Sequence, residues 1–336
     1  MSSLSKGTKK LNIKIYYFSA TGNTKYGLKL LQNYLASKGH SCELLSVEKE
    51  DTIRYDCDLL GFASPVYGGY PAKIVMDFIG RSGPFAYKVP AFTVLCPCST
   101  MGYWGSREIF ADALMSKNIQ VIATLGFLGN PSHPVVLGSL ENAKQFLKSF
   151  TDGIGRPNSI DAAQIKDFSE KLVSVYQDYS EGKKIKKPKY SKIKRWVSNT
   201  VRSREIDLIN ETSLAVLKDK CVKCGLCRKE CPVGALSLDP YPVQDPNKCF
   251  SCQKCINICP KHALYLEGIA QIGYYNRKKL NDDELLNMHT DESNWQLRQK
   301  KPILLRILST RIGMAVVILM RGITDKLLIQ RESSKR

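Results

Sequence analysis

The chain has 336 residues, 43% of them hydrophobic, which suits two ordinary globular cores rather than a disordered or fibrous chain. Its formal net charge of +19 is high and speaks of acidic partners or surfaces, not of fold. No uncharged apolar run approaches the roughly 20 residues of a membrane span, and no apolar signal segment opens the sequence.

The first predicted element is a strand over Leu11 to Phe18, an apolar, β-rich run whose one charge is Lys14. It ends in Ser19-Ala20-Thr21-Gly22-Asn23-Thr24, and a helical pattern follows from Lys25 to about Ser37. A strand, a tight loop of small residues and a helix start make an anion cradle. Backbone N–H groups and hydroxyls point at the anion, and the helix N-terminus favours its charge. Gly22 permits the close turn, while Ser19, Thr21, Asn23 and Thr24 supply donors. The loop departs from the nucleotide GxxxxGK[ST] pattern and from the dinucleotide GxGxxG pattern.

Strands and helices then alternate. Strands are expected over Cys42 to Val47, Asp56 to Ser64, Val89 to Cys96 and Ile119 to Phe127. Helices are expected over Ala72 to Ile79, Arg107 to Lys117 and Asp161 to Tyr179. This alternation predicts an α/β fold, a doubly wound parallel sheet with its ligand beyond the C-terminal strand ends. Two glycine-bearing loops fall there, Ser64-Pro65-Val66-Tyr67-Gly68-Gly69-Tyr70-Pro71 and Cys98-Ser99-Thr100-Met101-Gly102-Tyr103-Trp104-Gly105. Tyr67 and Trp104 are either stacking partners for a flat ring or ordinary loop aromatics. Cys42 and Cys57 read as core residues; Cys96 and Cys98 read as small buried hydrophobes or a redox-active thiol near the ligand, and His133 as structural or as lining the ligand's edge.

The cradle resembles the phosphate loop of flavodoxins, Ser/Thr-x-Thr-Gly-Asn-Thr, at every fixed position, and the resemblance runs from about Leu11 to Phe150. It implies FMN, its phosphate held by Ser19, Ala20, Thr21, Gly22, Asn23 and Thr24. It also implies that Pro65, Val66, Tyr67 and Gly68 clasp the ring from one side. Ser99, Thr100, Met101, Gly102, Tyr103 and Trp104 would do so from the other.

Next comes a linker. Ten Lys or Arg and no acid fall between Gly182 and Arg204, with Pro188 and little apolar periodicity. Beyond it lie eight of the twelve cysteines, in two copies of C-x-x-C-x-x-C-x-x-x-C-P. The first is Cys221, Cys224, Cys227, Cys231 and Pro232; the second is Cys249, Cys252, Cys255, Cys259 and Pro260. Three cysteines at steps of three can serve three corners of one 4Fe–4S cubane, and the fourth cysteine of such a run ligates the other cluster. Two 4Fe–4S clusters are therefore expected, one on Cys221, Cys224, Cys227 and Cys259, the other on Cys249, Cys252, Cys255 and Cys231. The copies are a repeat at an offset of 28 residues, each with a short helical turn after Cys-Pro and a short apolar strand. Structural zinc, with four ligands in two pairs, and a disulfide framework, which suits small secreted domains, fit the pattern poorly. The segment from about Leu214 to Gly268 resembles bacterial two-cluster ferredoxins.

A flavodoxin-like domain followed by such a module resembles the flavodoxin–ferredoxin fusion proteins of anaerobes. The expected organisation is 1–180 flavodoxin-like, 181–210 basic linker, 211–270 small α+β ferredoxin domain, and 271–336 basic, partly helical extension. The extension's apolar positions from Ile303 to Met320 recur at helical steps, as in a helix packed on the protein or a basic amphipathic helix on an anionic membrane. The resemblance implies a cytoplasmic redox relay between FMN and the clusters, or alternatively a flavin-dependent reductase of a small organic substrate fed by them. Eight bases against five acids between Leu214 and Gly268 suit an acidic redox partner. Peripheral contact with a membrane would use the same charge, and no nucleic-acid-binding fold is recognisable.

Overall fold

The computed structural model describes residues 9–99, 103, 105–132, 153, 155–192 and 213–267. Thr100, Met101, Gly102, Trp104, His133, the later part of the basic linker and the extension with its expected helix lie outside the described residues. Every described residue belongs to one compact unit, 1–288; the other unit, 289–336, lies outside them.

The first module is built on a sheet in which β1 (Asn12–Tyr17), β2 (Ser41–Ser46), β3 (Leu59–Tyr67), β5 (Val89–Cys96) and β6 (Ile119–Gly126) run parallel in the order β2-β1-β3-β5-β6. This is the flavodoxin-like order, reversing between β1 and β3. All eight residues of β5 are buried, as a central parallel strand covered on both faces must be. On one face lie α2 (Lys73–Arg81) and α3 (Ser106–Met115), packing Phe78, Ile79, Phe110 and Leu114 on Tyr16, Phe62 and Leu95. On the other lie α1 (Asn23–Ser37) and α4 (Ser159–Ser180), packing Leu28, Leu31, Ile165 and Leu172 on Ile13, Ile15 and Val94. Among the described residues no helix is long and apolar enough to cross a membrane.

Two differences from the expected elements have physical causes. The strand expected from Asp56 begins at Leu59, because Asp56 and Asp58 are taken up as ties. Asp56 binds Lys14 Nζ at 2.7 Å, and Asp58 accepts from the Asn12 amide at 2.8 Å. The strand then runs on to Tyr67 and turns back as β4 (Tyr70–Pro71), pairing Tyr67 with Tyr70. The two-residue turn is Gly68-Gly69, with φ of 53° and 78°. Positive φ at both central positions is the type I′ requirement, which glycine meets at no steric cost.

One close approach fixes α1 on the sheet. A Cβ at Gly27 would lie 2.3 Å from a ring carbon of Phe127, so the helix rests directly on that ring. Gly27→Ala is expected to cost about 1–3 kcal/mol by overpacking, read as a lower urea midpoint of the first module.

The second module is small. β7 (Leu214–Val216) pairs antiparallel with β10 (Leu264–Leu266), and β8 (Leu236–Leu238) with β9 (Pro242–Gln244). Two short helices, α5 (Leu226–Lys229) and α6 (Lys254–Ile258), complete it around Cys227, Leu236, Ile256, Leu264 and Leu266. The helical turns expected after each Cys-Pro run instead through the third cysteine of each copy; Cys-Pro is followed by a turn. A proline ring blocks the amide needed to carry a helix onward, and Gly234 and His262, at φ 60° and 49°, reverse the chain.

Candidate functional site

The cysteines of the second module surround two cavities. Cys221, Cys224, Cys227 and Cys259 line the first, with Leu238, Pro242 and Leu264. Cys231, Cys249, Cys252 and Cys255 line the second, with Phe250, Ile256 and Leu266. Each cavity thus takes three cysteines from one copy and the fourth from the other. Among the described residues no three such groups converge on a point that could hold a single metal ion. Zinc would need its sulfurs drawn in to about 2.3 Å, whereas a cubane spreads them over its corners. The donor set is all thiol and the surround apolar, which fits an iron–sulfur cluster.

The backbone repeats as faithfully as the sequence. Positive φ occurs at Lys223, Gly225 and Gly234 in the first copy, and 28 residues later at Ser251, Gln253 and His262. These conformations aim amides at sulfur: Ala235 N–H donates to Cys231 Sγ at 3.2 Å, and Ala263 N–H to Cys259 Sγ at 3.3 Å. Ser251 N–H adds one to Cys249 Sγ at 3.4 Å. Hydrogen bonds of this kind tune cluster potential. Burial pushes the Cys252 thiol up to about 12, with Cys249 and Cys231 crowding it further. A cationic cluster would hold such a buried thiol as thiolate, which would couple cluster binding to folding.

The cradle of the first module sits at the β1 end of the sheet, beside the switch point. Gly22, at φ 103°, caps α1 with no side chain, leaving the helix N-terminus to backbone amides. Ser19 Oγ accepts from the Lys25 amide at 3.2 Å, which curls the loop over the helix start. Asn23 Nδ2 donates to Asn130 O at 2.9 Å, tying the cradle to the loop after β6. Thr21 and Thr24 are buried, at 7% and 1% exposure. A helix N-terminus whose N-cap residue has no side chain, with buried hydroxyls beside it, fits a phosphate. Of the two loops expected to clasp a ring, Pro65 to Gly68 form the end of β3 and its hairpin, shaped by Ser64 Oγ, which accepts from the Ala72 amide at 2.8 Å. In the other, Ser99 is buried and Tyr103 lies against Gly126, its carbonyl accepting from Ser106 Oγ at 3.0 Å.

Residues 214–263 match the family model described as a 4Fe-4S dicluster domain. The chain joins a flavodoxin-like fold to a 4Fe–4S dicluster domain. No curated protein matches the chain. A flavodoxin of Streptococcus pneumonia TIGR4 is 16% identical, covering 48% of this chain and 98% of that one, with a TM-score of 0.36. Flavodoxin 2 of Bacillus cereus is 14% identical over 50% of this chain and 99% of that one, with a TM-score of 0.36. A rubredoxin oxygen:oxidoreductase of the anaerobe Desulfovibrio gigas is 11% identical over 49% and 36%, with a TM-score of 0.33. It is the strand order, not these scores, that carries the fold.

The dicluster domain meets the flavodoxin-like fold through its second cysteine motif. Phe250 sets its ring edge-on to Phe18 at 5.8 Å, and Cys252 shares a core with Phe18 and Val66. Burial, then the nearby thiols of Cys252, Cys96 and Cys98, holds the Tyr67 phenol well above its usual range. Asn257 Nδ2 donates to Ser132 O at 3.1 Å. Among the described residues the first cavity has no such cover, and Cys224 is exposed.

Lys254 clamps the modules, a role that no local pattern announces. Its side chain is 9% exposed, with Nζ 2.8 Å from Glu48 and 3.5 Å from Glu230. Burial alone would lower its pKa, but Glu48 and Glu230 raise it on balance, so it is held as a cation. Lys254→Met would leave two carboxylates without their shared cation. Both retain access to water, so the cost is set below that of a fully buried pair, at about 1–2 kcal/mol. Faster hydrogen exchange around residues 45–48 and 250–258 is the expected result. Unchanged exchange there would show the clamp idle. Missed also were the left-handed Ser251, Gln253 and His262; the offset-28 alignment with Gly225 and Gly234 was the signal for the last two.

Proposed function

We propose that the chain is an electron relay between FMN and two 4Fe–4S clusters, serving low-potential redox partners. The observation that carries it is the packing of the second cysteine motif, through Phe250 and Cys252, against the strand ends where the flavodoxin-like fold binds its ligand. In this reading Cys221, Cys224, Cys227 and Cys259 hold one cluster, and Cys249, Cys252, Cys255 and Cys231 the other. Ser19 to Thr24 hold the FMN phosphate on the dipole of α1. Pro65 to Gly68 and the loop from Ser99 to Trp104 flank the ring. FMN supplies exchange of one or two electrons, where each cubane carries one at a time. The chain's own residues position these centres and exclude water: Phe18, Phe250 and Val66 make the boundary between them apolar. The relay works in the cytoplasm with an acidic redox protein, drawn by the net positive dicluster domain.

The test is composition. Anaerobically made protein should carry about eight irons and eight sulfides per chain and about one FMN. Zinc in place of iron, or intact disulfides, would sink the cluster assignment, and the absence of bound flavin would sink the relay.

A further inference from the structure

The two cavities differ in what surrounds them. The second is closed in by the flavodoxin-like fold: Cys252, Gln253, Lys254 and Asn257 are all buried. The first looks outward. Cys224 is exposed, and Val222 beside it is 58% exposed, one of the few large apolar side chains so placed among the described residues. Val243, next to the cavity-lining Pro242, is 50% exposed.

Around this apolar spot stands a basic rim. Lys223 and Lys261 line the first cavity itself. Lys218 and Lys223 both hold their ammonium groups over the Tyr241 ring, at 5.7 and 4.8 Å from its centroid. Two cations held by one ring are positioned rather than scattered, and cation–π attraction offsets part of their repulsion. Lys220 is exposed immediately before Cys221. The ion pairs of this domain among the described residues, Lys248 with Asp245 and Lys254 with Glu48 and Glu230, involve none of these four lysines. An apolar centre with a charged rim is the anatomy of a protein interface, and its sign selects the partner.

We infer that an acidic one-electron carrier protein docks on this face, over the first cavity, and that electrons enter or leave the chain there. The inference rests on the relay reading and adds the place of contact. Each encounter moves one electron: the carrier's reduced centre is oxidised by one, and the cluster of Cys221, Cys224, Cys227 and Cys259 is reduced by one. The cluster of the second cavity then lies between this entry point and the flavodoxin-like fold.

The test uses the full chain with its cofactors and an acidic bacterial-type two-cluster ferredoxin as probe. Zero-length carbodiimide coupling should join the probe's carboxylates to Lys218, Lys220 and Lys261, read by mass spectrometry. In stopped flow, Lys218→Glu with Lys220→Glu should slow cluster reduction by about tenfold or more at low salt and flatten its salt dependence. Lys218→Gln with Lys220→Gln should fall between, guarding against a folding defect in the charge-reversed pair. Lys29→Glu with Lys38→Glu, an equal charge change on α1, should stay within about twofold of the parent. Cross-links concentrated elsewhere, or equal slowing by both glutamate pairs, would overturn the proposal. Were the cluster reduced at the salt-sensitive rate while the flavin stayed oxidised, the docking face would stand and the relay reading would fall.

Discussion

Replacing Cys259 with alanine is expected to abolish the cluster of the first cysteine copy, although Cys259 belongs to the second. Iron should fall from about eight to about four per chain, because one cubane loses a corner and the other keeps all four. The basis is the first cavity, where Cys259 stands with Cys221, Cys224 and Cys227. Cys231→Ala is the mirror experiment and should abolish the cluster of Cys249, Cys252 and Cys255. Iron and sulfide analysis with cluster spectroscopy on each variant would read the result. Loss of the neighbouring cluster instead, with the distant one intact, would mean that each copy keeps its own four ligands. The Ala263 amide bond to Cys259 Sγ disappears in the same variant, and the small core around Leu264 and Ile256 should loosen.

The second large effect is expected at the cradle. Thr21→Ala with Thr24→Ala removes two buried hydroxyls beside the start of α1. Hydrogen bonds to a charged group contribute roughly 1.5–3 kcal/mol each, so the pair should weaken FMN binding by about two orders of magnitude or more. Flavin fluorescence titration gives the affinity, and cluster absorbance is the internal control. An unchanged affinity would remove the phosphate from this loop. Loss of cluster absorbance as well would mean that the substitutions had disturbed the fold rather than the site.

How much was legible in the sequence depends on whether the signal was local. The strand Val89–Cys96 could be read to the residue, because a charge-free, mostly apolar run bounded by Lys88 and Pro97 has one sensible reading. The parallel sheet with helices on both faces followed from alternation alone, while the order of its strands came from the structure. The start of β3 was misjudged because Asp56 and Asp58 look like part of a strand until their partners, Lys14 and Asn12, are seen more than forty residues away. The hairpin at Gly68-Gly69 carried its signal in the glycine pair, but lay inside a loop already given another role. Lys254 was beyond sequence reasoning altogether. A lysine between two cysteines gives no sign that it will be buried against Glu48, 206 residues earlier. The basic linker shows the same limit: its first part is fastened to α3, where Glu108 Oε1 accepts from the Ser191 amide and Arg107 donates to Lys189 O.

The order of the redox centres is the central claim, and a variant lacking only the cluster of the second cavity tests it most directly. Cys249→Ala should give such a protein, with the first cluster and FMN retained, as iron and flavin analysis would establish. Mixed in stopped flow with a reduced acidic ferredoxin, its first cluster should be reduced at the parent rate while the flavin stays oxidised. Dithionite, which can reach the flavin directly, should still bleach it. Flavin bleached by the ferredoxin at the parent rate would contradict the account, since electrons would then reach FMN without passing the cluster that Cys231, Cys249, Cys252 and Cys255 surround.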